Sequence, residues 1–335
     1  MKAAIYPGHG APVLIESLPD PAPGPGEVLI RVARCGICGT DLSMTKGGAW
    51  DFAPGSQFGH EYAGEVVALG RAVSRLAVGD RIAVLPSVAC GHCPGCAHQN
   101  NVLCQAAEGS LMHGFAEFAR VPESLAVKLP SVLSLTDGAL IEPLAISLYG
   151  VRHARLQPGD NVVVLGAGTV ALYAIYWARR LGAGRIVVLS RSERRASLVL
   201  QMGADHFVTY GDKDVAEVAE KLGGTADVVF ECAGAEGMLA KAILHAGPFG
   251  RVVSLGFCTR PDMMIPALAA YKCVNLQFLV GYSMKEFLYI ADQMDKGHVD
   301  PKTIVTSCVP LADLPGTLDR LRSDNQETKV HVTMT

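Results

Sequence analysis

Three short stretches of this sequence carry side chains that could bind a metal ion and act on a substrate. The first packs a thiol, a hydroxyl and a carboxylate into four consecutive positions, the second places an imidazole beside a carboxylate, and the third adds a carboxylate before a proline. Together they form the mixed sulfur, nitrogen and oxygen set with which a catalytic zinc keeps one position open for substrate. In chain order the residues are Cys38, Thr40, Asp41, His60, Glu61 and Glu142.

Each of these residues also has an ordinary structural interpretation. A single buried cysteine usually behaves as a small apolar side chain, and Glu142 could be a solvated charge on a helix. Cys35 and Cys38 could form a redox Cys-x-x-Cys pair, but they lie among proline-led strand segments and lack the strand-then-helix setting of that motif. The joint presence of all the residues favours a metal site.

A second cluster consists of four cysteines in a compact stretch. They are Cys90, Cys93, Cys96 and Cys104. Short gaps allow neighbouring sulfur atoms to converge on one ion, and four sulfur ligands leave no open position, so the spacing predicts a structural zinc site. An iron–sulfur cluster and a nucleic-acid zinc knuckle are disfavoured, because the stretch has no redox partner motif and lacks basic and aromatic neighbours. His92 and His98 are surplus to four sulfur ligands and are expected to be exposed.

A glycine-rich turn follows the apolar run 162–165 and opens a helical stretch. In that setting, the pattern Gly166-x-Gly168-x-x-Ala171 is the fingerprint of a dinucleotide-binding site. Gly166 permits the tight turn, and Gly168 lets the backbone approach a pyrophosphate. The helix amino terminus would then supply N–H groups and partial positive charge to the phosphates.

The end of the second strand in this pattern carries no acidic residue. An NAD site would place a carboxylate there to bind the ribose diol, whereas this chain has Ser190 and Arg191. The serine hydroxyl is neutral, and Arg191 with Arg194 or Arg195 offers planar donors suited to a 2′-phosphate. We therefore expect NADP to be preferred. NAD is the alternative if these arginines only form a solvated helix start capped by Ser192.

Two later strand ends complete the expected coenzyme site. Residues 231–234 and 255–257 follow apolar runs, and backbone groups at such positions of a parallel sheet line the cofactor cleft. The expected coenzyme-binding residues are Gly166, Gly168, Thr169, Val170, Ser190, Arg191, Arg195, Cys232, Ala233, Leu255 and Gly256.

The elements that must position these residues change character along the chain. Prolines punctuate residues 12–25 and exclude a helix there. Short strand-like runs follow at 28–32, 62–69, 81–85 and 115–121. They indicate a mostly-β domain with chemistry on its loops. From residue 161, β-branched runs alternate with helical stretches, which is typical of a doubly wound parallel sheet covered on both faces.

Composition limits the class of protein. At 335 residues the chain can form two domains with ample core. No apolar run approaches the ~18 residues of a membrane span, and a net charge of -3 without a basic block argues against a nucleic-acid surface. We expect a soluble, cytoplasmic protein without a signal peptide, whose ten cysteines stay reduced. Its partner would be a small molecule, not a nucleic acid or a membrane.

These motifs resemble those of the zinc-dependent medium-chain alcohol dehydrogenase family, particularly its polyol (sorbitol) and threonine dehydrogenase-like branch. The resemblance rests on Cys-Gly-Thr-Asp at 38–41, Gly-His-Glu at 59–61 and Glu-Pro-Leu at 142–144. The later motifs extend it over the whole chain. It implies an α/β protein with a GroES-like catalytic domain and a Rossmann coenzyme domain.

The domain boundaries follow from the same resemblance. Residues 148–282 would form the Rossmann domain. Residues 1–147 and 283–335 would form the GroES-like domain, with a structural zinc lobe at about 88–106. The resemblance further implies a homodimer or homotetramer, in which the strand at 276–280 extends a sheet between subunits.

The resemblance implies two zinc ions per chain, one structural and one catalytic. Cys38, His60 and Glu61 would hold the catalytic zinc, with water or Glu142 completing its shell. The zinc would act as a Lewis acid on an alcohol oxygen while a hydride passes to nicotinamide C4. This chemistry is that of an NAD(P)-dependent alcohol dehydrogenase.

Neighbours of the metal cysteine have roles in the resembled family. Thr40 would take the hydroxyl proton toward the nicotinamide ribose, and Asp41 would orient the imidazole of His60. The family often finishes this relay with a histidine five residues after the metal cysteine, whereas this chain has Ser43. Because serine cannot hold a proton near neutral pH, we expect water or another group to end the relay.

Several classes of substrate are compatible with this sequence. A polyol, an amino alcohol, an aminocyclitol and a simple secondary alcohol all fit, and Trp50 and Phe52 are either pocket walls or plain core. A zinc-free quinone or enoyl reductase is disfavoured, because those relatives lack both metal sets. A catalytically silent coenzyme-binding protein would bind NADP(H) without transferring hydride.

Overall fold

The computed structural model describes residues 1–9, 11–48, 50–107, 109–297, 300–323 and 326–334. The chain divides into two compact units, one formed by Met1–Ala145 with Gly281–Thr335 and the other by Ile146–Val280. The strands are β1 (Lys2–Tyr6), β2 (Leu14–Ser17), β3 (Glu27–Gly36), β4 (Ser56–Gln57), β5 (Glu61–Leu69), β6 (Arg81–Val84), β7 (Phe118–Pro122), β8 (Ala126–Lys128), β9 (Val162–Leu165), β10 (Ile186–Ser190), β11 (His206–Thr209), β12 (Ala226–Glu231), β13 (Ala246–Ser254), β14 (Asn275–Phe278), β15 (Val305–Pro310) and β16 (Lys329–Thr333). The α-helices are α1 (Gly39–Met44), α2 (Pro94–Ala97), α3 (Leu135–His153), α4 (Thr169–Arg180), α5 (Ala196–Gln201), α6 (Asp214–Leu222), α7 (Met238–His245), α8 (Pro266–Tyr271), α9 (Met284–Asp295) and α10 (Leu314–Arg322). None of the described helices is long and apolar enough to cross a membrane.

The first unit is built around β3, which pairs with β5, β7 and β16 in a seven-stranded sheet. A separate three-stranded sheet has the order β2-β1-β4. Stacked and edge-on rings of Phe52, Phe58 and Phe115 pack in the core of this unit, with centroids 5.6 and 5.2 Å apart. Phe52 is therefore a core residue, whereas Trp50 is 58% exposed.

One strand of the first unit is shorter than its apolar pattern suggests. The run 115–121 predicts a single strand, but β7 begins only at Phe118. The preceding residues bond to β1 instead, where Ala4 N donates to Phe115 O at 2.8 Å and Glu117 N donates to Lys2 O at 3.0 Å. The alternating pattern is the same for both partners, so it could not show where the chain changes sheet.

The second unit contains a six-stranded parallel sheet in the order β11-β10-β9-β12-β13-β14. All four residues of β9 are buried, as are the first four of β10. Such continuous burial explains why their sequences are β-branched runs rather than alternating patterns. The strand order changes direction at β9, so the predicted parallel sheet has its topological switch point beside the glycine-rich turn.

Two buried histidines make the folded protein sensitive to acid. His331 in β16 is 1% exposed and His245 at the end of α7 is 5% exposed. Burial lowers the pKa of His331 to about 3, assisted by the charges of Lys329 and Arg34. Burial likewise lowers the pKa of His245 to about 4, although Asp214 opposes that shift. Since an unfolded histidine has a pKa of about 6.5, the stability that each neutral ring provides is complete above that pH and is lost as the pH falls below it.

We expect His331→Gln to reduce the acid sensitivity of the fold. Between pH 7 and pH 5 the unmodified protein should lose about 2 kcal/mol more unfolding free energy than the variant, because only the unmodified unfolded chain gains a proton at this position. Urea unfolding of both proteins at the two pH values measures this difference. Identical pH dependence would show that His331 is not held neutral.

Candidate active site and coenzyme site

Three side chains of different chemistry converge in the first unit. The ligand atoms of Cys38, His60 and Glu61 all lie within 4.8 Å of one another. Strand pairing brings them together, because antiparallel β3 and β5 place Gly36 opposite Glu61, so the loop after β3 meets the start of β5. His60 and Glu61 are buried, and the thiol of Cys38 is partly exposed. A cluster of sulfur, nitrogen and oxygen donors with one accessible member fits a zinc ion that can also reach a substrate.

Asp41 lies beside the imidazole of His60. One of its carboxylate oxygens, Oδ2, accepts the backbone N–H of Cys38 at 2.9 Å and so caps α1. The other, Oδ1, lies 3.5 Å from Nδ1 of His60, and the carboxylate is fully buried. A proton on Nδ1 would face this oxygen, and Nε2 of His60 would then be free to bind a metal.

The electrostatics of this cluster favour positive charge. Burial by itself would lower the pKa of His60, but the charges and hydrogen bonds of Asp41 and Cys38 raise it well above the usual value. The three-donor cluster therefore favours a positive charge at this position. A divalent metal bound to the same atoms would supply that charge.

Lys329 is a site residue that sequence reasoning missed. Its ammonium group donates to Oε1 and Oε2 of Glu61 at 2.8 and 2.6 Å and to the backbone oxygen of Ile37 at 2.9 Å. Burial alone would lower the pKa of Lys329, but Glu61 and Cys38 raise it, so the side chain carries a fixed positive charge. No sequence motif marks this lysine, because it lies in β16, 268 positions after its carboxylate partner.

Glu142 lies near the cluster but outside the group of three mutually close donors. The hydroxyl of Tyr282 donates to its Oε1 at 2.5 Å. Burial raises the pKa of Glu142 to about 7, while His60 lowers it and Glu61 raises it further. Glu142 is therefore a protonatable carboxyl group beside the donors. The sequence analysis also missed Tyr282, because a single tyrosine before a helix is not part of a recognisable motif.

The two hydroxyl groups of α1 have different surroundings. The Oγ1 atom of Thr40 lies 3.7 Å from the sulfur of Cys38, which places it beside the donor cluster. Ser43 instead donates its hydroxyl to the backbone oxygens of Gly39 and Thr40 at 3.0 and 3.2 Å. Because its hydroxyl proton is committed within its own helix, Ser43 is poorly placed to extend a proton relay.

The four cysteines of the second cluster also converge. Their sulfur atoms lie within 4.8 Å of one another in and around α2. Backbone N–H groups point at two of them, from Cys90 to the sulfur of Cys104 at 3.2 Å and from Gln105 to that of Cys93 at 3.4 Å. The N–H group of Gln105 is the main reason that the pKa of Cys93 falls to about 6. Burial instead raises the pKa of Cys96 to about 11, so it is the convergence of the four sulfur atoms that fits a structural zinc.

The glycine-rich turn of the second unit joins β9 to α4. Gly166 adopts φ 109°, a left-handed conformation that glycine tolerates without strain, and its N–H donates to Leu189 O in β10 at 2.7 Å. Gly168 forms the N-cap of α4, so the backbone N–H groups of Thr169 and Val170 stand in the first turn of a twelve-residue helix. This geometry suits a pyrophosphate.

The end of β10 presents neutral and basic side chains. Ser190 is partly buried and Arg191 is exposed. Arg195 donates to the backbone oxygen of Ala167 at 3.1 Å, so its guanidinium group contacts the glycine-rich turn itself. Tyr210, which sequence reasoning missed, donates its N–H to Ser190 O at 3.0 Å, and its buried hydroxyl has no hydrogen-bond partner among the described residues. The sequence signal for Tyr210 is an aromatic residue directly after β11, the third strand of the second unit.

The remaining predicted coenzyme residues surround a buried carboxylate. Glu231, the last residue of β12, accepts the N–H groups of Ala233 and Gly234 at 2.7 and 2.8 Å. Its backbone oxygen accepts the N–H groups of Leu255 and Gly256 at 2.7 and 2.9 Å. Cys232 lies between these bonded groups, and burial raises the pKa of its thiol. Glu231 thus shapes the carboxyl edge of the sheet at both predicted strand ends.

Known proteins share both units of this chain. Residues 24–131 match the family described as "Alcohol dehydrogenase GroES-like domain", and residues 169–295 match "Zinc-binding dehydrogenase". Sorbitol dehydrogenase of Bacillus subtilis (strain 168) is 30% identical over 344 residues, covering 99% of this chain and 97% of that protein. The (R,R)-butanediol dehydrogenase of the same strain is 34% identical over 332 residues, covering 94% of each.

A solved structure gives the same result. A protein from Sinorhizobium meliloti 1021, described as a zinc-binding dehydrogenase bound to NADP, is 30% identical and covers 99% of this chain and 98% of its own, with a TM-score of 0.89. These matches confirm the predicted combination of a GroES-like and a Rossmann domain. The protein is an oxidoreductase that acts on alcohols, and it belongs to the zinc-type medium-chain dehydrogenase/reductase family, in its polyol and threonine dehydrogenase branch.

Proposed function

We propose that the protein is a zinc-dependent alcohol dehydrogenase that prefers NADP(H). It transfers a hydride between nicotinamide C4 and a secondary or polyol alcohol, or the matching ketone. The convergence of Cys38, His60 and Glu61 within 4.8 Å carries the proposal, because these buried and partly buried donors match the ligand types of a catalytic zinc. Zinc at this position supplies Lewis acidity toward the substrate oxygen, and NADP supplies the hydride acceptor.

The protein's own side chains set the charge of this site. Asp41 holds His60 in the tautomer that presents Nε2, and Lys329 offsets much of the negative charge of Glu61. Less negative charge on the donors leaves a bound cation more electron-poor, which strengthens its effect on a substrate hydroxyl. Glu142 lies outside the donor group and bonds to Tyr282, so Cys38, His60 and Glu61 are the residues that would hold the metal.

Proton transfer begins at Thr40 in this proposal. Its hydroxyl stands beside the cysteine sulfur and accepts the proton of the substrate alcohol. The hydroxyl of Ser43 is bonded within α1, so the proton leaves the threonine through water or the coenzyme ribose and not through residue 43. This route is consistent with the presence of Ser43 where the family often has a histidine.

Three groups at the end of β10 support the preference for NADP. Ser190 places no carboxylate where a 2′-phosphate would stand, and Arg191 offers an exposed guanidinium group. The buried hydroxyl of Tyr210 adds a hydrogen-bond donor without a partner among the described residues. The relative solved with NADP is consistent with this choice. An NAD-dependent polyol or threonine-type dehydrogenase is the alternative.

The reaction is tested by following nicotinamide absorbance with polyols, amino alcohols and secondary alcohols, with NADP and NAD in parallel. We expect turnover by the zinc-loaded protein and a loss of at least ~10³-fold in kcat for Cys38→Ser, because a missing ligand removes several kcal/mol of charge stabilisation. Cys273→Ser, at an exposed cysteine, is the matched control. Full activity of the Cys38 variant would contradict the zinc role. Coenzyme binding without turnover across the panel would favour the non-catalytic alternative.

Coenzyme choice is tested by Ser190→Asp. A carboxylate at the end of β10 repels a 2′-phosphate and binds a ribose diol, so the ratio of kcat/KM for NADP to that for NAD should fall by at least ~10-fold. Ser192→Asp adds the same charge two positions further along and should change the ratio much less. An unchanged ratio in the Ser190 variant would remove the basis for the NADP assignment.

We also propose that two copies of the chain pair along β14. This strand is the edge of the six-stranded sheet, and Phe278 at its end is 63% exposed. Nearby in sequence, Met263, Ile265 and Tyr271 are 88%, 64% and 93% exposed. An open strand edge next to many exposed apolar side chains is typical of an interface between subunits.

We expect Phe278→Lys to weaken this assembly. A charge on each of two facing strand edges would be desolvated and would repel its copy, so the mass measured by analytical ultracentrifugation should fall to that of a monomer at micromolar concentration. Val132→Lys, at a position of the first unit that is 70% exposed, serves as the control and should leave the mass unchanged. An unmodified protein that is monomeric at high concentration would exclude the assembly.

A further inference from the structure

Helix α1 carries the proposed proton acceptor, yet it cannot be stable by itself. It has only six residues, and its last turn contains no basic side chain. Isolated helices of this length do not persist in water, and the carbonyl groups at a helix end need outside donors. The amino end of α1 is capped by Asp41, which accepts the N–H of Cys38 and lies 3.5 Å from His60 through its other oxygen. Its carboxyl end must be held by other parts of the chain.

Arg322, the last residue of α10, supplies that contact. Its Nη2 donates to Oγ1 of Thr45 at 2.6 Å, and Nε and Nη2 approach the backbone oxygen of Leu42 at 3.4 and 3.5 Å. Thr45 in turn donates its hydroxyl to the backbone oxygen of Asp41 at 2.5 Å. On its other side, Nη1 of Arg322 donates to Asp319 at 2.6 Å. The guanidinium group thus joins two helices that are 280 positions apart in sequence.

These contacts have the chemistry of a specific anchor. A cation at the carboxyl end of a helix is favoured by the helix dipole, and the planar guanidinium group can bond several acceptors at fixed angles. The side chain of Arg322 is 23% exposed, so its bonds are partly shielded from water. Phe52 adds one backbone bond to Met44 O at 3.1 Å, whereas the oxygen of Leu42 and the hydroxyl oxygen of Thr45 accept from the arginine.

We propose that Arg322 is a positioning residue that holds the hydroxyl of Thr40 in its reactive place. The inference rests on the proposed dehydrogenase function. Cys38 lies at the capped end of α1, and a bound zinc would hold it there, so loss of the arginine at the other end lets the short helix pivot about Cys38. The sulfur atom then stays in place while Thr40 moves. A displacement of about 1 Å at a reacting group can lower a rate by about 100-fold.

The kinetic test uses Arg322→Gln in the full-length, zinc-loaded protein. We expect kcat to fall by roughly 10- to 100-fold with an unchanged zinc content and an unchanged KM for coenzyme. Arg322→Lys should restore part of the rate, because a lysine can still bond the end of α1. In a Thr40→Ala background the same substitution should have little further effect. Arg320→Gln removes an equal charge from an exposed position of α10 and should be neutral.

A second measurement does not depend on turnover. Hydrogen–deuterium exchange of the amides of residues 39–46 should be about tenfold faster in Arg322→Gln than in the unmodified protein or Arg320→Gln. Unchanged exchange in this segment would overturn the anchor. An effect on kcat that persists in full with Thr40→Ala would overturn the positioning role. If the unmodified protein turned over no alcohol, the dehydrogenase proposal would fail, and the exchange data would still decide whether Arg322 holds α1.

Discussion

The buried ion pair between Lys329 and Glu61 is the interaction on which the catalytic unit depends. Removing a carboxylate from water costs several kcal/mol unless a positive charge accompanies it. The lysine supplies such a charge from β16, and Asp41 and Cys38 raise the pKa of His60 beside it. A cation held by the same donors would add to this compensation, so folding and metal binding would depend on the same charges.

Strand pairing brings the lysine and the carboxylate together. β3 lies between β16 and β5, so the lysine and the carboxylate reach each other beside the start of the loop that carries Cys38. Helix α1 then extends from this loop and is held at its far end by Arg322. The reactive groups therefore lie on short segments whose two ends are both fixed by the rigid sheet and by α10, which is how precise sites are generally built.

The candidate coenzyme site of the second unit consists mainly of backbone groups. The glycine-rich turn, the first turn of α4 and the bonds around Glu231 present N–H groups and a close approach to the main chain. At the end of β10 the side chain of Ser190 is neutral, and its backbone oxygen accepts the N–H of Tyr210. Because every residue type provides such backbone groups, one fold can bind the same coenzyme in proteins with different sequences.

Local sequence was sufficient for features that depend on neighbours along the chain. The parallel sheet follows from β-branched runs, the glycine-rich turn from its spacing, and the two clusters of candidate metal ligands from residue types that lie close together in sequence. The tertiary structure alone decided which distant groups complete the site. Lys329, Tyr282 and Arg322 reach it from the far end of the chain through ordinary strands and helices, and no periodicity or motif encodes a single contact across more than a hundred residues. The same reason explains why Ser43 proved to be bonded within its own helix and Phe52 to be core, since a hydroxyl or an aromatic ring shows its role only when its partners are in place.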